Sequence, residues 1–554
     1  MLKDHNRPRI ARLLSLTLRR IRQQGPDQVQ FWVIAFLLGT AAGAAALLFR
    51  LGIRGLETLL YNAPDHYVLT GAASMPWWAL VAIPATGGLV VGLILHHFTP
   101  DGRVRAVADV IEGAALHGGR VELREGIASA AASLITLGSG GSSGREGPVV
   151  HLAAMLSTRI ADRIHASGAT GRDLLGCAVA AAVSASFNAP IAGTIFAMEV
   201  VLRHTALHAF APIAIASIMG TLVNRLAFGD VAEFMLPVRN MVAFYWEIPA
   251  YLILGLVCGL VAVALMKAIF WAEDVADAIQ KRGHVPRWLR PAIAGALVGA
   301  IAIPAPQVIG IGYEVTTLAL TGRLALHQAV LITVAKVAAV AITFGGRMGG
   351  GVFSPSLVVG ALTGLAFGLI ATALIPAYSG SATTYALAGM GAVAASVLGA
   401  PVSTTLIVFE LTGDWQTAIA VLAAVSTGSA VASRFVTRSF FLTQLARRAV
   451  KVAQGPQEYL LQLVAVSRAV RRPGSNGAPS LEALEALAAA GHSISADSRL
   501  KPALRVFDRT GLPHLAVTQR GPDGVPRVTG SLSHVDALKA YNRALAATAA
   551  EEHS

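Results

Sequence analysis

The chain contains, at residues 138–150, the stretch GSGGSSGREGPVV, which sets an ionisable pair, Arg145 and Glu146, among glycines and just before Pro148. Apolar segments flank this stretch. Charge at membrane depth is costly unless it faces protein or water, so the pair indicates a functional site on an ion or proton path. Glycine suits a tight non-helical entry and proline the first turn of a helix, which predicts that Glu146 lies where a broken helix begins. The N-terminus of such a helix attracts anions.

The composition of the whole chain is that of a polytopic membrane protein. Its 554 residues are 54% hydrophobic and 14% charged, which is too apolar for a soluble globular protein of this length. The long apolar runs cover residues 31–48, 77–95, 248–265, 291–303, 329–344 and 418–431. Shorter runs cover residues 127–137, 149–156 and 190–202. Short helices interrupted by glycine and proline are typical of a transporter core.

The formal net charge of +13 is concentrated beside the apolar runs. The basic residues are Lys3, Arg7, Arg9, Arg12, Arg19, Arg20 and Arg22 in a tail over residues 1–30, and Arg438, Arg447, Arg448 and Lys451 after the last run. The positive-inside bias predicts that both ends are cytoplasmic, with an even number of full crossings between them. This placement indicates membrane topology and argues against nucleic acid as a partner.

An internal repeat organises the apolar region. The segment FNAPIAGTIFAMEVV, which begins at Phe187, aligns with LGAPVSTTLIVFELT, and Ala189 then matches Ala400 at an offset of 211 positions (400 − 189). In the same way GREGP, at 144–148, corresponds to GVFSP, at 351–355. Two such repeats predict membrane halves at 31–237 and 238–450, with the ligand at their interface near the membrane midplane.

The repeat also aligns two acidic residues, Glu199 and Glu410. One interpretation makes them proton carriers. The other, which we favour, is structural: each carboxylate accepts hydrogen bonds from backbone groups freed at the end of a neighbouring helix.

Three motifs taken together, GREGP at 144–148, FNAP at 187–190 and GGVFSP at 350–355, resemble the CLC family of voltage-gated chloride channels and proton-coupled chloride exchangers. The similarity covers most of the region between the first apolar run and Arg448. The resemblance implies an all-α homodimer with CLC-type inverted repeats and broken helices, and a separate anion pathway in each subunit. Inorganic anions and the lipid bilayer are then its partners, and a bacterial-type inner membrane its location.

The resemblance also implies roles for particular residues. Glu146 matches the gating glutamate, whose carboxylate competes with anions for the outer end of the pathway. The anion-binding positions around it are Gly144, Arg145 and Gly147 from the first repeat and the backbone N–H groups of Val352 and Phe353 from the second. Two alternatives remain open: Glu146 merely forms an ion pair with Arg145, and Phe353 is ordinary core.

Two hydroxyl groups that hold the anion in most members of the family are missing. Ala106 stands where the family has the serine of its filter, and Phe441 stands where it has a tyrosine. A site without them relies on backbone N–H groups, helix dipoles, and Arg105 or water. Alternatively, Arg105 and Asp109 form an i,i+4 ion pair with no role in the pore.

Val200 stands where many proton-coupled members of the family have an inner glutamate and where its channels commonly have valine. Since valine carries no proton, we expect a passive channel gated by Glu146. The alternative is a proton-coupled chloride antiporter in which another acid or a water chain replaces that carboxylate. A distant third reading takes GSSG, at 141–144, as the motif of an intramembrane serine protease with Ser143 as its nucleophile; we expect no enzyme, because no histidine lies at a comparable glycine-rich seam.

Residues 451–554 change to a soluble composition and predict a small α/β module. A helical stripe is formed by Leu500, Ala503, Leu504 and Phe507, strands are expected at 514–518 and 528–532, and a turn at 521–524. The module resembles a single CBS motif. Such motifs bind adenine nucleotides in pairs, and the segment 458–471 is too short and helical to be a first copy, so a dimer-stabilising or vestigial role is favoured over nucleotide binding. No metal or other cofactor is expected.

Overall fold

The structure is a computed structural model of the chain. It describes residues 25–62, 67–203, 207–229, 246–376, 379, 381–450, 452, 461, 464–475, 477–520 and 526–553. The chain divides into two compact units, Met1–Val450 and Lys451–Ser554. Of the sequence predictions, the basic tail before residue 25, the boundary between residues 237 and 238, and the turn at 521–524 lie outside the described residues.

The first unit is built from helices. They are α1 (Gln28–Tyr61), α2 (Val68–Ala73), α3 (Trp77–Phe98), α4 (Val107–Leu116), α5 (Leu123–Gly138), α6 (Glu146–Ile164), α7 (Gly168–Phe187), α8 (Pro190–Phe196), α9 (Leu207–Phe228), α10 (Ile248–Arg282), α11 (Arg290–Ala302), α12 (Tyr313–Leu320), α13 (Leu326–Gly345), α14 (Phe353–Leu374), α15 (Ala382–Leu398), α16 (Pro401–Thr412), α17 (Trp415–Phe435) and α18 (Phe440–Arg447). A π-helical turn, Ala197–Leu202, continues α8, and a 3-10 turn, Pro306–Val308, lies between α11 and α12.

Several of these helices are long and apolar enough to cross a membrane. Within the described ranges there are seven such spans: Gln28–Tyr61, Trp77–Phe98, Ala209–Phe228, Ile248–Arg282, Leu326–Gly345, Phe353–Leu374 and Trp415–Arg447. Helices α8, α11, α15 and α16 are apolar but shorter, with 7 to 17 residues each. The mixture of spanning and short helices is the one that the sequence predicts for a transporter core.

Small residues let the helices approach closely. A Cβ atom at Gly88 of α3 would lie 2.2 Å from the carbonyl oxygen of Pro291, and one at Gly295 of α11 would lie 2.0 Å from that of Pro84. Any larger residue at these positions would force α3 and α11 apart. Close contact through glycine is the usual way in which helices pack in lipid, where burial of apolar surface contributes little.

The two aligned glutamates connect the repeats. Glu199 accepts hydrogen bonds from the backbone N–H groups of Val402 and Ser403 at 3.0 and 2.8 Å, at the start of α16. Glu410 accepts hydrogen bonds from Ile191 and Ala192 at 3.0 and 2.7 Å, at the start of α8. Each repeat therefore caps the short helix of the other through equivalent residues, as a pseudo-two-fold axis between them requires. The structural interpretation of both glutamates is confirmed, since both carboxylates satisfy backbone donors at helix starts.

The second unit is an α/β module. Its elements are a 3-10 turn (Val466–Arg468), α19 (Leu481–Ala489), β1 (Ser493–Ser495), α20 (Leu500–Thr510), β2 (His514–Arg520), β3 (Pro526–Ser533) and α21 (His534–His553). Strand β2 lies at the centre, parallel to β1 and antiparallel to β3, with Leu515 opposite Leu532. The core includes Leu500 and Phe507 of the predicted helical stripe. The stripe and both predicted strands are thus confirmed.

Candidate anion pathway

Two glycine-rich helix starts, one from each repeat, meet at the centre of the first unit. Gly144 and Gly351 exchange two backbone hydrogen bonds of 2.7 Å just before α6 and α14 begin. They are equivalent positions of the repeat, so the pseudo-two-fold axis passes between them. A Cβ atom at Gly147 would lie 3.1 Å from Cα of Gly351, and glycine at both positions therefore allows the two helix N-termini to approach each other.

The Glu146 carboxylate crosses from one helix start to the other. Its side chain is buried, and its Oε1 accepts a hydrogen bond of 2.5 Å from the hydroxyl of Ser354. Its Oε2 accepts a longer one, 3.3 Å, from the backbone N–H of Ser354 in the first turn of α14. The carboxylate thus lies where the positive end of the α14 dipole would hold an anion.

The contacts described for Arg145 are with groups other than the Glu146 carboxylate. Its Nη2 donates to the carbonyl of Ser186 near the end of α7 at 3.0 Å, and its guanidinium lies 5.1 Å from the ring centre of Tyr313. The hydrogen bonds to the Glu146 carboxylate come from Ser354 instead. The hydrogen bonds that hold the carboxylate therefore come from α14, and Arg145 acts on it through its charge.

Phe353 is a core residue through its ring and borders the pathway through its backbone. Its ring is buried against Phe187 and Phe196, with ring centres 4.7 and 5.7 Å away, so the side chain is part of the core. Its backbone lies in the first turn of α14, where N–H groups have no partner within the helix. The ring thus positions the backbone that faces the pathway.

A cavity connects most of the predicted site residues. Glu146 lines it together with Ala106, Gly147, Val352, Phe353 and Phe441. Its charged lining comprises the basic residues Arg103, Arg290, Arg347, Arg447 and Arg448 and the acidic residues Glu146, Glu273 and Asp277. Among the described residues of this lining arginines outnumber carboxylates, as an entrance for anions requires. Gly144, Arg145 and Val200 lie outside the lining, and Gly144 lies behind the Glu146 carboxylate.

The alternative of an ion pair between Arg105 and Asp109 is not what the structure shows, because each residue has another partner. Arg105 Nη1 lies 2.8 Å from Asp101 and its Nη2 3.1 Å from Glu122. Asp109 Oδ2 accepts from the backbone N–H of Ala106 at 2.8 Å, which caps α4, and Oδ1 bonds to Arg448 at 2.7 Å. Arg105 is not a lining residue of the cavity among those described, so its proposed role in the pore has no support from the geometry either.

Ala106 and Phe441 bring no hydroxyl group to the cavity that they line. Phe441 is buried in the first turn of α18 beside Phe440, whose ring centre is 5.9 Å from its own. Both positions are therefore apolar surfaces of the pathway, and polar contacts to an anion must come from elsewhere.

Val200, at the position of the inner glutamate of the family, is buried in the π-helical turn that continues α8.

Ser143, the candidate nucleophile of the protease alternative, is fully buried. Its hydroxyl donates to the carbonyl of Gly349 at 2.9 Å, which connects the two glycine-rich segments. A serine nucleophile needs a base as its hydrogen-bond partner, so this hydroxyl is structural.

The sequence reasoning missed Ser354 and the arginines of the cavity. Ser354 is part of the GVFSP motif and is the only side-chain hydrogen-bond donor to Glu146 within the described residues. Its position between Phe353 and Pro355 was a usable signal, because side chains in the first turn of a helix lie beside the free N–H groups. The arginines come from α10–α11, α13–α14 and α18 as well as from the segment before α4, and no local pattern connects them.

Comparisons with known proteins agree with this geometry. The sequence model of the family described as "Voltage gated chloride channel" matches residues 87–433. A putative chloride channel protein ClcB-like from Ralstonia nicotianae is 34% identical over 418 residues, which cover 75% of this chain and 96% of that protein.

Solved structures show the same fold. A slow cyanobacterial Cl−/H+ antiporter superposes with a TM-score of 0.66 at 20% identity, over 76% of this chain and 97% of that one. A eukaryotic CLC transporter has the same TM-score at 17% identity, over 94% of this chain and 98% of that one. The fold, the paired helix starts and the family match lead to one conclusion: the chain is an integral, multi-pass membrane protein that belongs to the CLC family of anion transport proteins.

Proposed function

We propose that the protein is a passive anion channel in which the Glu146 carboxylate is the gate and chloride or a similar anion is the permeant ion. The observation that supports it is the position of the carboxylate on the N-terminal turn of α14, in contact with the cavity. A carboxylate and a small anion use the same donors, so only one of them occupies this position at a time. Protonation removes the negative charge that the helix dipole stabilises and thereby favours release.

The absence of proton coupling is proposed from two neighbouring residues. Val200 is apolar and buried, so it cannot accept a proton. The carboxylate of Glu199 accepts hydrogen bonds from the N–H groups of Val402 and Ser403 and from the Ser403 hydroxyl. Both oxygens of this carboxylate are thus engaged in the cap of α16, which supports a structural role for Glu199.

Proton-coupled exchange is the second candidate. It is favoured by the likeness in fold to a Cl−/H+ antiporter, a likeness that concerns architecture alone at 20% identity. The two candidates differ in one quantity, the number of protons moved for each anion.

The deciding experiment records chloride efflux and external pH together in proteoliposomes, for the wild type and Glu146→Gln. We expect chloride efflux without stoichiometric proton movement, and faster efflux in the variant because an uncharged side chain competes poorly for the helix N-terminus. Glu122→Gln, which changes an exposed carboxylate outside the cavity lining, is the matched control and should behave as the wild type.

A steady proton flux that is driven by a chloride gradient and lost in Glu146→Gln would contradict the channel and establish the antiporter. Absence of chloride efflux, with efflux of another small anion, would instead change the identity of the permeant ion. An efflux rate that Glu146→Gln leaves unchanged would contradict the gate.

We also propose a homodimer in a bacterial-type inner membrane with both chain ends in the cytoplasm. Membrane orientation rests on the positive-inside bias of Arg438, Arg447 and Arg448. The dimer rests on membership of the family.

A further inference from the structure

We propose that the hydroxyl of Ser354 is a side-chain ligand of the permeating anion and takes over the role of the hydroxyl groups missing at Ala106 and Phe441. The inference rests on the proposed gating by Glu146 and deepens it, because it identifies a side chain that binds the anion once the carboxylate has left.

The site that the Glu146 carboxylate occupies is built around Ser354. Ser354 is buried, and both of its donors, the hydroxyl and the backbone N–H, point to the two oxygens of Glu146. A Cβ atom at Gly144 would lie 2.6 Å from Oε2 of Glu146 and 3.0 Å from the Ser354 nitrogen. The glycine thus leaves room for an anionic group in front of Ser354, and the carboxylate is the stand-in for the anion.

When the carboxylate leaves, the two donors of Ser354 lose their acceptor. A buried hydroxyl that has lost its acceptor is costly unless another acceptor replaces it. Glu146 lines the cavity, so its departure opens Ser354 to the same space through which an anion arrives. The anion that enters then accepts the two hydrogen bonds that Glu146 released.

Ser354 differs from the other side chains near the two helix starts in where its hydroxyl donates. Ala106 and Phe441 offer no donor to the cavity. Ser143 is bonded to Gly349, and Arg105 to Asp101 and Glu122. Among the described residues around the two helix starts, Ser354 is therefore the hydroxyl whose donor already points at an anionic group.

The test uses Glu146→Gln as the background, since gating by the carboxylate is then removed, and compares Ser354→Ala, Ser354→Thr and Ser356→Ala within it. Proteoliposome efflux is measured over a range of chloride concentrations. We expect Ser354→Ala to raise the half-saturating chloride concentration roughly tenfold, the loss of one hydrogen bond to a charged partner, and Ser354→Thr to keep it within about twofold. Ser356 is the matched control: it is equally buried on the same helix, and its hydroxyl donates to the Phe353 carbonyl.

Two outcomes separate this inference from the gate. An unchanged half-saturating concentration in the Ser354→Ala double variant would overturn the role of Ser354 and leave the gate standing. An unchanged efflux rate in Glu146→Gln itself would overturn the gate. If Ser354→Ala fails to fold, as judged by size-exclusion elution in detergent, Ser354→Cys keeps the side-chain volume and weakens the donor, and the same rise in half-saturating concentration is expected.

Discussion

At the scale of single residues, the pathway depends on where one carboxylate lies. Glu146 is buried and satisfied by Ser354, and it occupies the N-terminus of α14 that an anion would otherwise occupy. The neighbouring Gly144 and Gly147 have no side chain, and this leaves space for the carboxylate between the two helix starts.

Gly144→Ala should therefore block the position in front of Ser354. The added methyl group would lie 2.6 Å from Oε2 of Glu146 and 3.0 Å from the Ser354 nitrogen, so neither the carboxylate nor an anion fits there. We expect chloride efflux at neutral pH to fall, and to stay low when Glu146→Gln is added. Gly55→Ala is the control, because a Cβ atom there meets no atom within 4 Å. Efflux in a folded Gly144→Ala protein that equals or exceeds the wild-type rate would show that this position does not limit conduction.

At the scale of secondary structure elements, the short helices are stabilised from outside themselves. Helix α8 has seven residues and α16 twelve, lengths at which an isolated helix is not stable. Glu410 and Glu199 cap them across the repeat interface, and Arg347 similarly holds the segment before α4 by donating to the carbonyl of Asp101 at 3.1 Å. Elements that border the pathway are thus positioned by side chains from distant parts of the chain.

Removal of one cross-repeat cap should destabilise the membrane unit. Glu410→Gln keeps one acceptor oxygen but loses the charge, and we expect a loss of about 1–2 kcal/mol, seen as a lower Tm in detergent. Glu199→Gln should cost at least as much, since Glu199 accepts a further hydrogen bond from the Ser403 hydroxyl. Unchanged Tm values combined with altered proton movement would revive the interpretation of these residues as proton carriers.

The ionisation of Asp101 should make the stability of the folded protein depend on pH. Burial alone would raise its pKa, but the hydrogen bonds and charge of Arg105, and then of Arg103, lower the pKa to about 2. Because the folded-state pKa lies below the ordinary value, the ionised carboxylate stabilises the protein at neutral pH, and this contribution is lost as the pH falls towards 2. Asp101→Asn should lower Tm by the same amount at pH 7 and pH 5, and by less below about pH 4.

The Asp101 prediction has a matched comparison in Glu122→Gln, which removes the more exposed carboxylate on the same arginine. We expect a smaller change in Tm for that variant, because exposed ion pairs contribute little. Equal changes in both variants, or a difference at Asp101 that grows with acidification, would contradict the assignment.

At the scale of the whole molecule, the cavity concentrates positive charge from both repeats. Its arginines come from segments between residues 103 and 448, and they outnumber the carboxylates among the described lining residues. Ion pairs with Asp101, Asp109 and Asp274, which lie outside that lining, offset part of this charge. A cleft that carries an excess of one sign between low-dielectric walls raises the local concentration of counter-ions.

Arg347→Gln should slow chloride efflux about two- to fivefold at low ionic strength, because it removes one charge from this entrance. Arg347 lines the cavity and lies 3.3 Å from Asp277. The deficit should shrink when an impermeant salt raises the ionic strength, since screening weakens the field. Arg124→Gln, at an exposed position of α5, is the control. A deficit that does not depend on ionic strength would indicate a structural role for Arg347.

Local sequence predicts where helices break, which charged residue lies at a break, and that the region repeats. These are local properties: proline and glycine set backbone conformation at Pro148 and Gly350, and burial of apolar residues sets the spans. Which groups meet depends instead on long-range packing. Ser354 reaches Glu146, Arg448 reaches Asp109, and Glu410 reaches Ile191, each across more than two hundred positions. Side-chain direction at these sites follows from how distant helices pack. Arg105 has two possible i,i+4 partners and pairs with Asp101, whereas Asp109 pairs with the distant Arg448, a choice that local spacing does not make.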